Sequence, residues 1–417
     1  MTAVLVVGVV AFGYAVVAAW LDRWSVGAPL VFMLAGVLVV PLVRDGVASA
    51  SSHALQLVTE ATLALVLFAD ASTVRLGLLE RDAGLPLRLL GIGLPLTVVL
   101  GTVAGYGVAG AETWAVAALL AAVLAPTDAA LSLPVVTNPS VPSRVRRMLN
   151  VESGLNDGII TPVVTVLLVV VAAEEQVQPG WAGEAVREVG VALVAAVVVG
   201  GGGGALLRFA AGRGWSNDLS AELAVLALAA LSYVGSVWRG GNGFVAAFAG
   251  GLIFAAASGA RFRRATGFTE TTGVFLSFVV WAMFGAALVE PVLREGWDWR
   301  VAAYAALSLT LVRMLPVAVA LARARLRPAT VAFTGWFGPR GLASVVFLVM
   351  AVDDLGLGPE SLLVRAATVT VAASVVLHGV SARPLVARYA AYLRHHPDAV
   401  EHAAGPEPHL RRRGLVT

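Results

Sequence analysis

Two short polar stretches interrupt an apolar sequence between residues 124 and 162, and their residue types could bind a cation. They contribute Thr127, Asp128, Glu152, Ser153, Asn156 and Asp157. Charged groups at membrane depth are costly, so they are functional by default. Carboxylate, hydroxyl and carbonyl oxygens are hard ligands that suit a small alkali or alkaline-earth cation. No histidine or cysteine lies near them, which argues against a transition metal.

The second stretch presents its polar groups on one side of a predicted helix. Ser153, Asp157 and Thr161 recur every fourth residue, so they form one stripe. Glu152 and Asn156 form a second pair, about 100° around the helix from the first. Burial disfavours the charged form of a carboxylate, so such a group can hold either a proton or a metal cation. An exchange of cations for protons requires this property.

The composition of the chain is typical of a membrane protein. Of its 417 residues, 59% are hydrophobic and 13% are charged, and the mean hydropathy is +0.85. The sequence has no cysteine, which excludes disulfides and thiol catalysis. It also has no lysine, so all 29 basic residues are arginines, and these are scattered over loops. We therefore expect a lipid bilayer around the chain, no nucleic-acid partner and no cofactor.

Apolar runs of about 18 residues or more predict an all-α polytopic membrane protein with about 13 transmembrane helices. The predicted spans are residues 2–22, 27–43, 54–74, 85–108, 113–136, 145–173, 183–210, 217–237, 242–259, 268–291, 300–322, 329–351 and 361–387. They make up a single membrane domain over residues 1–390, followed by a short cytoplasmic tail over residues 391–417.

The arginines predict the orientation, because positively charged loops stay in the cytoplasm. Odd-numbered loops hold fifteen arginines and even-numbered loops hold six. The N-terminus is therefore expected outside the cell (inner) membrane, and the C-terminus is expected in the cytoplasm.

Two spans contain residues that break helices. Span five contains Pro126, and span twelve contains the run Gly335-Trp-Phe-Gly-Pro-Arg-Gly341. Proline removes a backbone donor and clashes with the preceding turn. Non-helical backbone survives at membrane depth only where protein buries it or where it lines a cavity.

These two spans are seven apart, which predicts an internal repeat. We predict two inverted six-helix repeats, roughly residues 1–175 and 217–390, whose broken helices cross. Span seven, residues 183–210, connects the repeats. Inverted repeats with broken helices at the midplane are typical of secondary transporters.

Several of these residues also have a purely structural interpretation. Asp128 could cap the half-helix that follows it, and Glu152 could pair with an arginine. Arg313 and Arg340 both fall inside spans and are candidates for that pairing, although Arg313 could also snorkel to the surface. Asp157 has no cation near it in the sequence and is the hardest to explain structurally.

Two other features leave alternatives open. The run from Gly200 to Gly204 in span seven favours close helix packing, with a hinge as the second interpretation. His378 is either a packed, hydrogen-bonded histidine or a group that senses pH.

The residue pairs at 127–128, 152–153 and 156–157, with the Gly-Pro-Arg-Gly run of span twelve, form a specific pattern over nearly the whole chain. The pattern resembles the monovalent cation:proton antiporters of the NhaP type, which are relatives of the animal sodium/proton exchangers. This resemblance implies a homodimer with a helical core domain and a dimerisation domain. It also implies elevator-like alternating access and a role in pH homeostasis.

The resemblance also implies a ligand set for Na⁺. Asp157 would be the main carboxylate for the cation and the proton. Glu152, Ser153 and the Thr127 carbonyl would add ligands, and Asp128 would contribute directly or through water.

Other residues would support this site. Asn156 would stabilise its fold, and Arg340 would pair with Glu152 or Asn156. Asn156 also predicts electroneutral exchange, because relatives with Asp at that position tend to be electrogenic. The sequence departs from many members at Ala129, where they have proline, and its tail is short.

We therefore expect an antiporter that exchanges Na⁺ or Li⁺ for H⁺, with K⁺ as the nearest rival substrate. An alternative of another class is an intramembrane aspartyl hydrolase that uses Asp128 and Asp157 as a dyad. That alternative gives no role to Glu152 or Ser153. A cation channel is a third possibility, but channels need a continuous polar pathway and this chain concentrates its charge at one place.

Overall fold

The computed structural model describes residues 2–40, 52–73, 84–175, 181–259, 262 and 264–402. Some predicted features lie outside these residues: the last part of span two, the end of span three, the tail beyond residue 402, and Arg44, Arg75, Arg81, Arg261 and Arg263.

All regular secondary structure in these ranges is helical. The first half of the chain forms α1 (Thr2–Asp22), α2 (Ala28–Val39), α3 (Ser52–Thr73), α4 (Gly84–Ala109), α5 (Trp114–Val123), the short α6 (Leu133–Val136), α7 (Ser143–Glu175) and α8, which begins at Trp181 and ends at Gly212.

The second half forms α9 (Asp218–Trp238), α10 (Gly243–Ser258), α11 (Thr266–Arg294), α12 (Trp299–Leu309), α13 (Leu311–Leu321), α14 (Pro328–Trp336), α15 (Leu342–Asp354) and α16 (Leu362–Arg394). A 3₁₀ turn, Val400–His402, follows α16.

Within the described ranges, seven helices are long and apolar enough to cross a membrane, and four shorter helices are also apolar. Many large apolar side chains on their outer faces are exposed, including Leu38, Val186 and Val380. Hydrocarbon around the protein removes the cost that such exposure would have in water. The helices follow the predicted spans closely, but the number of spans remains a prediction.

Span thirteen continues past its predicted end at residue 387, because α16 is amphipathic there. Arg388 is exposed, whereas Val386, Tyr389 and Leu393 are buried at helical spacing. A criterion based on apolar runs ends the helix at the first arginines, although the buried side of the helix goes on to Arg394.

Span eleven contains a break that the sequence analysis did not predict. Helix α12 ends at Leu309 and α13 begins at Leu311, with Thr310 at φ −115° and ψ −94° between them. Pro316 lies inside α13, where it cannot donate to the carbonyl of residue 312 and crowds the preceding turn, so it indicates a distorted span without locating the break at Thr310.

The chain divides into two compact units. The first contains residues 1–58, 84–153 and 277–417. At one end of this unit, a buried cluster joins the start of α7 to α14 and to the end of α16, through residues that include Val145, Met148, Phe333, Tyr389 and Leu393. This packing fixes the helices that carry the polar residues of the first unit.

The second unit contains residues 59–83 and 154–276. Its helix α8 packs closely against α10 and α9 at the glycine run: a Cβ at Gly200 would overlap the Gly250 carbonyl of α10, and one at Gly203 would overlap Leu228 of α9. A Cβ at Gly204 would lie 3.2 Å from side-chain atoms of both Phe254 and Ala257, which is tighter than ordinary packing. These contacts favour the packing interpretation of the run over a hinge. Both units take residues from both predicted repeats, and the repeats remain a prediction.

Candidate functional site

Two chain breaks meet in the first unit. One lies between α5, which ends at Val123, and α6, which begins at Leu133; the other separates α14 from α15. The backbone N–H of Asp128 donates to the Pro339 carbonyl at 2.9 Å, so the two non-helical segments are bonded to each other. Unwound backbone is thereby buried against protein, as its position in a membrane requires.

The Asp128 carboxylate binds backbone amides from both segments. Its Oδ2 accepts from the N–H of Leu342 at 3.1 Å, and its Oδ1 accepts from the N–H of Ala130 at 2.7 Å. Leu342 is the first residue of α15, whose leading amides have no partner inside the helix. Asp128 therefore caps the half-helix of the other broken span. A Cβ at Gly341 would overlap this carboxylate, so the close approach requires glycine there.

Helix α7 reaches the first break through a hydroxyl group. Ser153 Oγ donates to the Thr127 carbonyl at 2.6 Å, and both residues are buried. The Thr127 carbonyl can accept this hydrogen bond because the chain around it is not helical. This contact brings a backbone oxygen, a hydroxyl oxygen and the neighbouring acidic residues of α7 into one region.

Glu152, one residue before Ser153, forms a buried ion pair with Arg313 of α13. The Arg313 Nη1 to Glu152 Oε1 distance is 2.7 Å, and the two side chains are 3% and 4% exposed. Gly338 leaves room for the guanidinium, since a Cβ there would overlap it. The resemblance implied that Arg340 pairs with Glu152 or Asn156. The structure pairs Glu152 with Arg313, and the possibility that Arg313 snorkels to the surface is wrong.

Arg340 is also buried, and it binds main-chain oxygens. Its Nη1 donates to the Ala125 carbonyl at 3.1 Å, and its Nη2 donates to the Ser308 carbonyl at 3.2 Å. These carbonyls lie at the C-terminal ends of α5 and α12, where the helix dipole leaves partial negative charge. A guanidinium group suits this position because it has several donors in a fixed plane.

Helix α16 binds both sides of the second break. Ser374 Oγ accepts from the Arg340 backbone N–H at 2.8 Å. His378 Nε2 lies 2.8 Å from the carbonyl oxygen of Trp336, the last residue of α14, and its ring stacks on the Trp336 ring. His378 Nδ1 contacts Ser374. His378 is thus a packed, hydrogen-bonded histidine, in agreement with the first of its two interpretations.

Asn156 and Asp157 lie on the next turn of α7, in the second unit, and both are buried. Thr161 Oγ1 donates to the Asp157 carbonyl at 2.7 Å, so that hydroxyl binds its own helix. The predicted stripe of Ser153 and Asp157 is present, because α7 is continuous through these residues.

The sequence analysis missed three groups that build this site: Ser374, and the carbonyls of Ala125 and Ser308. Backbone oxygens carry no signal in residue type, so only the helix ends could have indicated them. Ser374 and His378 recur at four-residue spacing on one face of α16, and this polar pair in an apolar span was a usable signal.

The sequence model of the family described as "Sodium/hydrogen exchanger, transmembrane" matches residues 8–388. A structure of the sodium proton antiporter MjNhaP1 from Methanocaldococcus jannaschii at pH 8 has a TM-score of 0.73 and 18% sequence identity, covering 91% of this chain and 99% of that one.

An electron-microscopy structure of MjNhaP1 gives a TM-score of 0.70 at 17% identity, with 93% of this chain and 97% of that chain covered. At these identities the structural likeness shows the fold, and it confirms the predicted all-α polytopic membrane fold. A comparison with curated proteins gives no match.

Proposed function

The chain belongs to the sodium/hydrogen exchanger family, and from that premise we propose that it exchanges Na⁺ or Li⁺ for H⁺, one for one. It is a multi-pass membrane protein of a cation/proton antiporter family, and the family consists of transporters, not enzymes. The hydrolase alternative is therefore set aside.

The contact between Ser153 Oγ and the Thr127 carbonyl carries this proposal. It places an unwound main-chain oxygen next to the turn of α7 that holds Glu152 and Ser153. Carbonyl, hydroxyl and carboxylate oxygens thus come from one region, and these hard ligands suit a small alkali cation. Asp157 joins the ligand set on the basis of the family resemblance. We take Thr127, Ser153, Glu152 and Asp157 as the ligand set, with Na⁺ as substrate.

Within this set we assign the exchange step to Asp157. Glu152 has an arginine partner at 2.7 Å, and both oxygens of Asp128 accept from backbone amides, so each of these two carboxylates has a structural task. Asp157 is the carboxylate that the family resemblance assigns to the cation and the proton. Binding of one then releases the other, which couples the two fluxes.

Asn156 supports electroneutral exchange. It carries no charge of its own, and the family resemblance associates Asp at this position with electrogenic exchange. A single carboxylate, Asp157, then takes one proton or one monovalent cation in each cycle.

Elevator-like alternating access and a homodimer complete the proposal on the basis of the family resemblance. The arginine distribution supports an N-terminus outside the cell and a C-terminus in the cytoplasm of an inner membrane. Cation and proton are substrates, and no cofactor takes part.

Everted vesicles from an antiporter-deficient strain test the substrate. Respiration acidifies their lumen, and a pH-sensitive dye reports proton release after addition of NaCl, LiCl or KCl. We expect release with Na⁺ or Li⁺ from the wild type and none from Asp157→Asn. Asp218→Asn is the matched control, because it makes the same chemical change at an exposed helix end, and it should behave like the wild type.

A response to K⁺ alone would reassign the substrate and keep the mechanism. No response to any cation by a correctly inserted wild type would overturn the proposal. Electroneutrality is tested separately in proteoliposomes on a solid support: the wild type should give no current under a Na⁺ gradient, and Asn156→Asp should give one.

A further inference from the structure

The chain does not leave the protein when α16 ends. Residues Asp398 to His402, here called the C-terminal turn, fold back against the start of α14. Ala399 joins the buried cluster that includes Val145 and Phe333. The sequence analysis treated this segment as part of a short tail, because its composition is polar.

Glu401 is the centre of the C-terminal turn. It is 1% exposed, and its Oε1 accepts from the Arg327 backbone N–H at 2.7 Å and from Thr330 Oγ1 at 2.7 Å. Thr330 Oγ1 also lies 3.0 Å from the Tyr389 hydroxyl. Arg327 precedes the first residue of α14, and its own side chain provides no cap. A carboxylate suits this helix end, where unpaired amides and the dipole give positive charge.

Two further contacts hold the C-terminal turn, one to the start of α14 and one to α7. Asp398 forms an ion pair with Arg327 at 3.0 Å, and Arg144 Nη1 donates to the Val400 carbonyl at 3.2 Å. Arg144 lies in the first turn of α7, the helix that carries Glu152 and Ser153. The C-terminal turn therefore binds the start of α14, which leads to the second break, and the start of α7, which contacts the first break through Ser153.

We propose that the C-terminal turn is a clamp on α14 and α7, with Glu401 as a positioning residue for transport. Helix α14 has nine residues and ends at Trp336, next to the second break. A short, rigid helix transmits a shift at its first residue to its last. Loss of the clamp then changes the position of the break that Asp128 caps, and with it the ligand geometry. The effect on transport rests on the proposed function, whereas the capping of α14 does not.

Two truncations of the full-length protein that differ by five residues test the clamp. A stop after Pro397 removes the C-terminal turn, and a stop after His402 keeps it and is the matched control. We expect the apparent KM for the transported cation to rise about threefold or more after the first truncation, since fewer molecules hold the binding geometry. The second truncation should leave the KM unchanged.

Point variants separate positioning from general stability. Glu401→Ala should raise the KM like the shorter truncation, whereas Glu401→Gln keeps an acceptor oxygen and should restore a near-normal KM. Thr330→Val removes one hydrogen-bond donor to Glu401 and should raise the KM by less than Glu401→Ala does. It also serves as the test variant if Glu401→Ala does not fold.

Hydrogen exchange provides a readout independent of transport. The backbone amides of Arg327, Ala329, Thr330 and Val331 should exchange about fivefold faster in Glu401→Ala than in the wild type. If the wild type transported no cation, the proposed function would be wrong, but this measurement would still test whether the C-terminal turn holds the start of α14. Unchanged KM and unchanged exchange in both Glu401→Ala and the shorter truncation would overturn the clamp.

Discussion

The Asp128 carboxylate accepts a hydrogen bond from the backbone N–H of Leu342 at 3.1 Å, although 214 residues separate them. A side chain from one broken span thus caps a helix of the other. The reciprocal bond, from the Asp128 N–H to the Pro339 carbonyl, uses backbone atoms on both sides. The two breaks therefore stabilise each other, and a change in one should be detected in the other.

Gly341→Ala tests this relationship. The new Cβ would overlap the Asp128 carboxylate, so we expect the bond to Leu342 to be lost and the protein to be destabilised by about 1–3 kcal/mol. Displacement of the break should also move the proposed cation ligands, so we expect the rate of cation-dependent proton release to fall. Gly235→Ala is the control, because a Cβ at Gly235 meets no atom within 4 Å. Equal melting temperatures of the two variants in detergent would contradict the prediction.

The effects of substitutions at Glu152 and Arg313 on stability should be strongly coupled. Glu152→Gln leaves the Arg313 charge buried without its partner, which we expect to destabilise the protein by about 3–5 kcal/mol. Arg313→Met should be similarly harmful, and the double variant should cost much less than the sum of the two. Thermal unfolding of all four proteins in detergent gives the coupling free energy.

A pair with one exposed partner provides the comparison for this cycle. Arg294 and Glu290 are paired one helical turn apart on α11, with side chains 58% and 14% exposed. Glu290→Gln should destabilise the protein less than Glu152→Gln does, because water can solvate the Arg294 charge when its partner is lost. Additive effects of the Glu152 and Arg313 substitutions would show that their pairing does not contribute to stability.

Ser374→Ala should loosen the second break. It removes the acceptor for the Arg340 backbone N–H, leaving a buried amide unpaired at a cost of about 1–3 kcal/mol. Thr370→Val is the control on the same helix face of α16, since the Thr370 hydroxyl donates only to its own helix. Exchange rates of the Arg340 and Leu342 amides should rise in Ser374→Ala and stay unchanged in Thr370→Val.

Gly200→Ala and Gly202→Ala differ in what their new Cβ atoms meet. A Cβ at Gly200 would overlap the Gly250 carbonyl, whereas one at Gly202 meets nothing within 4 Å. Alanine favours a helix over glycine by about 1 kcal/mol, so Gly202→Ala should be neutral or stabilising. Gly200→Ala should be destabilising despite that gain. If both variants melt at the wild-type temperature, close packing is not the role of this glycine run.

Much of the fold could be predicted from local sequence. Apolar runs located the helices. A membrane span must form all its backbone hydrogen bonds within itself, so it is a helix whose length appears in the sequence as an apolar run. Pro126 and Pro339 located the two breaks, since proline cannot donate inside a helix. The unpredicted break at Thr310 shows the limit: Pro316 was present, but the distortion appears six residues earlier.

The pairing within the site could not be predicted in the same way. Arg313 and Arg340 are equally plausible partners for Glu152 by residue type, and the choice depends on how α13 packs beside α7. Gly338 decides it locally, because its missing side chain makes room for the Arg313 guanidinium. The position of Glu401 is a similar case, since nothing in a polar tail indicates that one of its acids is buried.

The hydrogen bonds between the two breaks are made largely by main-chain atoms, and this limits how a substitution can change the cation preference. A substitution cannot replace a carbonyl or an amide; it can only alter the path of the chain that holds it. We expect libraries randomised at residues 337–341 to give mostly inactive proteins. Variants with an altered Na⁺, Li⁺ or K⁺ preference should come from side chains next to the breaks, such as Ser153. Selectivity could then diverge among relatives while the backbone crossing stays the same.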